Sequence, residues 1–221
     1  MPSNVQPQQM TSTLIPIIHQ DDRIIVLNKP SGLLSVPGIG PEKADCLASR
    51  IAAVHPGARI VHRLDRDTSG VIIMAFDADA HRELSRQFHD REVEKTYLAI
   101  VAGEPAADEG TIDLPMRKDM EAGSTPMQVI DHVQGRRAVT YWRVIERCGD
   151  RTRVELRPVT GRSHQLRLHM KCLGHPILGD DLYAPEPLQR MADRLCLHAH
   201  TLSITHPSTG APMTFIAPAP F

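Results

Sequence analysis

The chain has 221 residues, of which 41% are hydrophobic, 23% charged and only 4% aromatic, and its formal net charge is −1. The apolar fraction excludes a disordered chain, no apolar run approaches the roughly 18 residues of a membrane span, and the length suits one globular domain. The near-neutral charge excludes a protein that coats nucleic acid by bulk positive charge, so such binding must use local basic patches.

The predicted elements begin after a polar N-terminus that has neither a basic segment nor an apolar segment of a signal peptide. Residues 1–13 are interpreted as a flexible tail, and residues 14–221 as a single domain. In chain order the patterns predict strands at 14–19 and 23–28, a helix at 44–55, strands at 59–61 and 71–76, a helix at 78–90, a strand at 93–101, a mostly loop segment at 103–126, strands at 137–147 and 151–159, a helix at 162–173 and a strand at 195–205. Strands outnumber helices and do not alternate regularly with them. This predicts an α+β fold with a mixed, mainly antiparallel central sheet flanked by helices.

The helix at 78–90 places Ala80, Leu84 and Phe88 on one stripe, which is expected to face the core. The chain has four cysteines, and none of them belongs to a C-x-x-C pair. Reduced thiols of a cytoplasmic protein are therefore expected, rather than disulfides or a zinc site.

The first candidate site is the loop HRLDRDTSG at residues 62–70, which the pattern places between two strands. Two carboxylates and two arginines within five positions are compatible with a merely solvated turn. Asp65 and Asp67 are alternatively spaced to hold the divalent metal of a nucleotide-sugar glycosyltransferase, although no phosphate-binding loop supports this. The His-Arg-x-Asp order superficially matches a kinase catalytic loop, but the glycine-rich and Asp-Phe-Gly segments are missing. A single nucleophilic or general-base Asp backed by arginines is the remaining interpretation.

The second candidate is the basic segment at 151–171, which has six Lys or Arg residues and a single Glu. On a helix, His164, Arg167 and Lys171 share one face, which suits phosphate contacts if it is not simply solvated. Arg162 projects onto the inner side, where a guanidinium is costly without a carboxylate partner. An ion pair of Arg162 with Asp65, or with the aspartate two positions later, is therefore predicted.

These segments together resemble the RluA family of pseudouridine synthases. The signature HRLDxxTSG stands at 62–70. The other family motifs occur along the chain in the family order, with PSGL at 30–33 before the signature and KTY at 95–97, GRSHQLR at 161–167, HPILGD at 175–180 and LHA at 197–199 after it. The resemblance covers nearly the whole chain from about residue 14. It implies the pseudouridine synthase catalytic fold in its short form, without an N-terminal S4 domain.

The resemblance also implies a reaction, in which the N1–C1′ bond of a uridine in RNA is broken, the uracil rotates and C5 is joined to C1′. Substrate and product are isomers, so no redox cofactor or metal is expected. The target is expected in single-stranded RNA, where flipping a base costs least. The short form points to a loop of 23S rRNA and to the anticodon stem-loop of tRNA as substrates. A cytoplasmic monomer is expected.

By resemblance, Asp65 is the essential carboxylate, Tyr97 stacks on the uracil, and Arg162 opposes the carboxylate and favours its charged form. Arg63 is expected to enter the RNA stack where the flipped uridine was, and Leu166 to close the pocket. Further candidates for substrate binding are His62, Arg167 and Lys171.

Several of these residues also have ordinary structural interpretations. Tyr97 is compatible with a half-buried packing residue in a strand, and His62 with a side chain that satisfies a backbone group. The alternation of His198 and His200, with His206 nearby, is compatible with a metal site but more typical of hydrogen-bonded strand histidines. A catalytically silent RNA-binding module of the same fold is the main competing function, ahead of a metal-dependent glycosyltransferase.

Overall fold

The computed structural model describes residues 15–123 and 125–221, which form twelve strands, four α-helices and one 3-10 helix. The strands are β1 Ile17–Gln20, β2 Ile24–Lys29, β3 Arg59–Ile60, β4 Ser69–Ala75, β5 Glu94–Ala102, β6 Glu109–Asp113, β7 Met116–Lys118, β8 Gln128–Ile130, β9 Val139–Arg147, β10 Arg151–Pro158, β11 Leu197–Thr205 and β12 Pro212–Ile216. The helices are α1 Leu47–Val54, α2 Ala78–Asp90, α3 Gln165–Cys172 and α4 Glu186–Gln189, and the 3-10 helix is Pro41–Lys43. The tail expected at residues 1–13 lies outside the described residues.

Ten of the strands form one sheet in the order β1-β2-β4-β11-β5-β10-β9-β6, with β3 paired to β4 and β12 paired to β11. Strands β11 and β4 run parallel, and the other pairs are antiparallel. Strands β7 and β8 form a separate two-stranded sheet. The predicted α+β fold with a mixed, mainly antiparallel sheet is therefore confirmed.

Strand β4 is buried along its whole length because a helix covers each of its faces. Val71 and Ile73 share a core cluster with Ala80 and Leu84 of α2. The alternate side chains of β4 point to the opposite face, where Ile72 joins a second cluster with residues of α1. This double cover fixes β4 and the loop that precedes it.

Helix α2 has the predicted bounds, and its stripe faces the core as expected. Asp77 caps its N-terminus by accepting hydrogen bonds from the backbone N–H groups of Asp79 and Ala80. The segment predicted to be mostly loop at 103–126 contains strands β6 and β7, and β8, β12 and α4 also had no predicted counterpart. Strand β6, sequence EGTID, has one buried side chain, Ile112, at the edge of the sheet, so its apolar signal is weak.

Helix α3 begins three residues later than predicted, and this changes the direction of its first side chains. His164 adopts a left-handed backbone conformation with φ 55° and stands at the N-cap. The side chain of Gln165 accepts hydrogen bonds from the N–H of Arg162 and from the hydroxyl of Thr160, which fixes a turn before the helix. Arg162 therefore precedes α3 and does not project from its inner side.

The four cysteines are free thiols, as expected, with Cys46 and Cys196 buried. In the part of the chain that the structure describes, every helix is too short or too polar to cross a bilayer.

Candidate active site

The centre of the candidate site is the loop at residues 61–68 between β3 and β4, called the site loop below. Its backbone is held by the segment that follows β2. The Ser35 hydroxyl donates to the Leu64 carbonyl at 2.7 Å and accepts from the Leu64 N–H at 3.1 Å, and the Ser31 hydroxyl donates to the Asp67 carbonyl at 2.7 Å. These contacts fix the chain on both sides of Asp65.

Lys29, the last residue of β2, has a fully buried side chain beneath the site loop. Its Nζ donates to the carbonyl oxygens of Pro30, Leu33 and Arg66 at 2.6–2.9 Å. Burial lowers the pKa of Lys29 to about 8, although the two aspartates of the loop favour its charged form. Lys29 therefore joins the segment after β2 to the site loop and supplies positive charge behind it.

Asp65 lies in the middle of the site loop, and its side chain is 29% exposed. Within the described residues no hydrogen bond reaches its carboxylate, and the imidazole of His164 lies beside it, with Nε2 4.0 Å from Oδ1. Asp67 differs, because the Arg66 guanidinium donates to both of its carboxylate oxygens at 3.0–3.1 Å. Asp65 is thus the carboxylate of the loop that is free to meet a substrate.

Tyr97 of β5 lies beside this carboxylate. Burial and the charge of Asp65 both raise the pKa of Tyr97 above its usual value, so its hydroxyl stays protonated at neutral pH. The ring packs against two of the core clusters and remains partly exposed. The predicted neighbourhood of Asp65 and Tyr97 is therefore present, and core side chains support the Tyr97 ring.

The opposite side of the site is built on a buried ion pair. Arg167 is 2% exposed and Asp180 is fully buried, and the Arg167 Nε donates to the Asp180 carboxylate at 2.8 Å. The Arg167 guanidinium also lies 5.3 Å from the centre of the Tyr183 ring. Asp181 accepts from Arg167 at 2.8 Å and lies 3.6 Å from Arg66, which connects this side to the site loop.

Two predictions for the basic segment are wrong. Arg162 forms no ion pair with either aspartate of the site loop, because it precedes α3 and its Nε donates to the Arg137 carbonyl at 3.4 Å. Arg167 does not lie on an outward face, because every residue from Gln165 to Met170 is buried and the carboxylate of Asp180 compensates its charge. Lys171 is exposed, as that prediction requires.

The remaining predicted residues are divided between the surface and the core. Arg63 is exposed at the site loop. Leu166 is buried in the core cluster against which Tyr97 packs. His62 is turned away, because its ring stacks on Phe88 at 4.5 Å and its Nε2 accepts from a backbone N–H of β4 at 3.3 Å. Burial lowers the pKa of His62 to about 3, and its structural interpretation is the one that the contacts support.

Three residues of the site were missed from the sequence as parts of the site: Lys29, Asp180 and Tyr183. A lysine at the end of the apolar run IIVLN was a usable signal, because a buried lysine must donate hydrogen bonds to nearby groups. Asp180 ends the motif HPILGD at 175–180 and Tyr183 follows it, but this turn-rich segment has no periodic pattern that would indicate contact of either residue with α3.

The structure gives no support to the metal interpretations. His198 contacts the Ser69 hydroxyl at 2.7 Å and the Ala217 carbonyl at 3.1 Å, and His200 contacts the same carbonyl at 2.8 Å. His206 accepts from two backbone N–H groups of the turn that follows it. Across residues 15–123 and 125–221, no three His, Cys, Asp or Glu side chains converge as metal ligands do.

Comparisons with known proteins identify the family of the chain. The family model described as RNA pseudouridylate synthase matches residues 23–171. The chain is 52% identical over 206 residues to the dual-specificity RNA pseudouridine synthase RluA of Escherichia coli strain K12, covering 93% of both chains, and equally to that of Haemophilus influenzae. Among solved structures, human RNA pseudouridylate synthase domain containing 1 superimposes with a TM-score of 0.80 at 28% identity, covering 94% of this chain and 84% of the other. The chain therefore belongs to the RluA family of RNA pseudouridine synthases, which are isomerases.

Proposed function

We propose that this chain converts a specific uridine to pseudouridine in a loop of 23S rRNA and in the anticodon stem-loop of tRNA, with Asp65 as the catalytic carboxylate. The observation that carries the proposal is the environment of Asp65, which lies partly exposed beside Tyr97 and receives no hydrogen bond from the described residues. The bacterial relatives named dual-specificity RNA pseudouridine synthases support two classes of RNA substrate.

The reaction requires a positioned carboxylate and a surface, shielded from water, on which the base can lie. The N1–C1′ bond breaks, the base rotates, a C5–C1′ bond forms, and the proton lost from C5 is balanced by one gained at N1. A carboxylate that no internal donor neutralises retains its basicity and nucleophilicity for a step at the sugar or at the base. Asp65 meets this requirement, whereas Asp67 is held by Arg66.

Tyr97 is proposed to stack on the flipped uracil, since its ring is supported by the core clusters and partly exposed beside Asp65. Arg63 is proposed to occupy the place of the flipped uridine in the RNA stack, and Lys171 to contact phosphate, because both side chains are exposed. Leu166 is proposed to shape the pocket from the core cluster that supports Tyr97.

The decisive experiment is the substitution Asp65→Asn, with tritium release from RNA labelled at uridine C5 as the measurement. The variant keeps the shape of the side chain and removes its charge, so turnover should fall at least about 10³-fold while RNA affinity changes little. Asp67→Asn is the matched control in the same loop, and it should retain most of the activity. Substantial release by Asp65→Asn would refute the proposal, and binding without release by the native chain would instead support a silent RNA-binding module.

We also propose that the enzyme acts as a monomer, in the cytoplasm and without a metal. Four free thiols suit a reducing compartment, where rRNA and tRNA are made and used. Light scattering of the purified chain should give the mass of one copy, and turnover should be unchanged by a chelator. A dimeric mass or loss of turnover on chelation would contradict these points.

A further inference from the structure

The backbone of His164 adopts a conformation that its position in the chain does not require. His164 and Arg91 are the non-glycine residues with positive φ in the described part of the chain, and Arg91 ends helix α2, where the left-handed conformation is common. His164 instead precedes the first turn of α3, and its side chain does not cap the helix. A strained backbone at such a place indicates that the side chain is needed in one direction.

That direction is toward Asp65, and the rear of the imidazole ring is fixed by Tyr183. The His164 side chain is 9% exposed, its Nε2 lies 4.0 Å from Asp65 Oδ1, and its Nδ1 lies 3.0 Å from the Tyr183 hydroxyl. The Tyr183 ring packs edge-on against the imidazole and is itself buried. Strand β8 completes the chain of contacts, because the Gln128 N–H donates to the same hydroxyl at 2.8 Å.

These contacts assign the proton of the imidazole. The Tyr183 hydroxyl accepts from the Gln128 N–H, and its single proton is then free to be donated to His164 Nδ1. If the imidazole Nδ1–H donated to Tyr183 instead, the buried proton of the Tyr183 hydroxyl would have no acceptor, which is unfavourable. With Nδ1 accepting, the ring proton stands on Nε2, the atom that faces Asp65.

Burial keeps the imidazole of His164 neutral. Burial is the largest cause and lowers the pKa of His164, and Arg167 acts in the same direction, while Asp65 and the aspartates at positions 180 and 181 oppose them. A neutral imidazole can donate one hydrogen bond to the carboxylate without cancelling its charge, as a guanidinium or ammonium would.

We propose that His164 is the positioning residue of Asp65, a neutral imidazole that donates its Nε2–H to the carboxylate and orients it for attack. The 4.0 Å separation closes to hydrogen-bond distance when RNA occupies the site, since such bonds are commonly long in the free enzyme. The proposal rests on the proposed function of Asp65. It adds that the tautomer is set from strand β8 through Tyr183, so the hairpin of β7 and β8 is coupled to the reacting carboxylate.

The first test measures the tautomer without RNA, by long-range ¹⁵N–¹H correlation spectra of the histidine-labelled chain at neutral pH. The spectrum of His164→Gln identifies the signal of His164 by its loss. A neutral ring protonated at Nε2 in the native chain, with loss of that preference in Tyr183→Phe, is the expected result. A ring protonated at Nδ1, or an imidazolium, would overturn the proposal, whatever the outcome for uridine chemistry.

The second test compares two unbranched side chains of similar length at the same strained position. His164→Gln keeps a neutral N–H donor near the place of Nε2, whereas His164→Met has none. Because both bear the same backbone strain, their melting temperatures should agree. We expect His164→Met to have a kcat at least about 10-fold below that of His164→Gln, with KM for the RNA unchanged. Equal kcat values for the two variants, or a difference confined to KM, would overturn the proposal. Loss of activity in Asp65→Asn remains the separate test of the proposed function.

Discussion

Asp65 and Asp67 are two positions apart in one loop, yet their neighbours give them different chemical capacities. The carboxylate of Asp67 is engaged by Arg66, and its backbone carbonyl accepts from Ser31. Asp65 is left to face Tyr97 and His164. Because both residues are loop aspartates beside arginines, composition alone does not distinguish them. The resemblance distinguishes them, since the signature HRLDxxTSG specifies the aspartate at position 65 and leaves position 67 open.

The two arginines of the basic segment provide a prediction about stability. Arg162 is joined by one long hydrogen bond to a carbonyl, whereas Arg167 neutralises the buried Asp180. Arg167→Ala leaves a buried charge without a partner and should lower the free energy of unfolding by about 3–5 kcal/mol. Arg162→Ala should lower it by less than about 1 kcal/mol. Urea denaturation of both variants checks this, and equal losses would show that Arg162 has a buried carboxylate partner after all.

The sequence predicted the site residues that belong to a recognisable motif. It did not predict those whose position depends on a partner distant in the chain. Asp65 and Tyr97 were identified with their motifs, and the structure brings them together. The direction of Arg167 was missed because its partner, Asp180, is 13 positions away, and helical periodicity cannot report a carboxylate outside the helix. His164 was placed on an outward basic face of the helix because its left-handed conformation is not visible in a helical projection.

At the scale of elements, the contact between β4 and β11 supports the end of the site loop. Gly70, with φ 113°, pairs with Ala199 across this contact, and a Cβ at Gly70 would lie 2.2 Å from the Ala199 carbonyl oxygen. The glycine of the signature is therefore required by the close approach of two strands.

Gly70→Ala should separate β4 from β11 and lower the free energy of unfolding by roughly 2–5 kcal/mol, through backbone strain and overlap together. Gly149→Ala is the control, because Gly149 also has a positive φ, 72°, but its Cβ would meet no atom within 4 Å. That variant should lose roughly 1–2 kcal/mol from strain alone. Thermal unfolding compares the two, and equal losses would show that the strand contact has room for a side chain.

His198 makes the same strand contact sensitive to acid. Its Nε2–H donates to the Ala217 carbonyl, and its Nδ1 therefore accepts from Ser69, whose hydroxyl is also contacted by Arg194. Burial lowers the pKa of His198 to about 4. The unfolded chain binds a proton near pH 6.5 and the folded chain does not until about pH 4, so stability is lost as the pH falls through that window.

The expected loss is up to roughly 3 kcal/mol between about pH 6.5 and pH 4 for the native chain. His198→Gln has no group to titrate there, so its free energy of unfolding should fall less over the same range. Urea denaturation at a series of pH values gives the free energy of unfolding of the native chain and of His198→Gln, and the slopes of these free energies against pH are compared. Parallel curves would show that the folded chain takes up the proton as readily as the unfolded one.

Elements with both a capping signal and an apolar stripe were predictable, and edge elements were not. Helix α2 was predicted with its bounds because Ala80, Leu84 and Phe88 repeat at helical spacing, and the structure adds Asp77 as the cap at its beginning. Strand β6 is polar apart from its one buried residue, and strand β12, with the sequence PMTFI, is short and begins with proline, so neither has a distinct strand pattern. Their pairing with β9 and β11 comes from the register of the partner strand, which local patterns do not record.

At the scale of the whole molecule, a net charge of −1 coexists with a proposed RNA-binding surface. Many of the arginines are already paired with carboxylates. Arg86, for example, contacts three of them, Glu83, Asp90 and Glu92. Binding of phosphate therefore depends on few basic side chains, and Arg63 and Lys171 are the predicted ones that lie exposed.

Arg63→Gln and Lys171→Gln should each weaken RNA binding. Lys171→Gln should also reduce the slope of log Kd against log salt concentration by about 0.7, the value for one phosphate contact on a single strand. Arg86→Gln is the control, since its charge is already compensated, and its slope should match the native one. Filter binding at several potassium chloride concentrations provides the measurement. An unchanged slope for Lys171→Gln would show that this side chain is only solvated.

The position of β11 has a consequence for the synthesis of the enzyme. This late strand fills the gap between β4 and β5, and so stands between the loop of Asp65 and the strand of Tyr97. While a ribosome is still translating the preceding residues, no strand pairs the two halves of the sheet, and the facing edges of β4 and β5 are left without backbone partners. A nascent chain thus completes the sheet that carries Asp65 and Tyr97 only after residue 205 has left the exit tunnel, and we expect a chain still lacking β11 to be inactive.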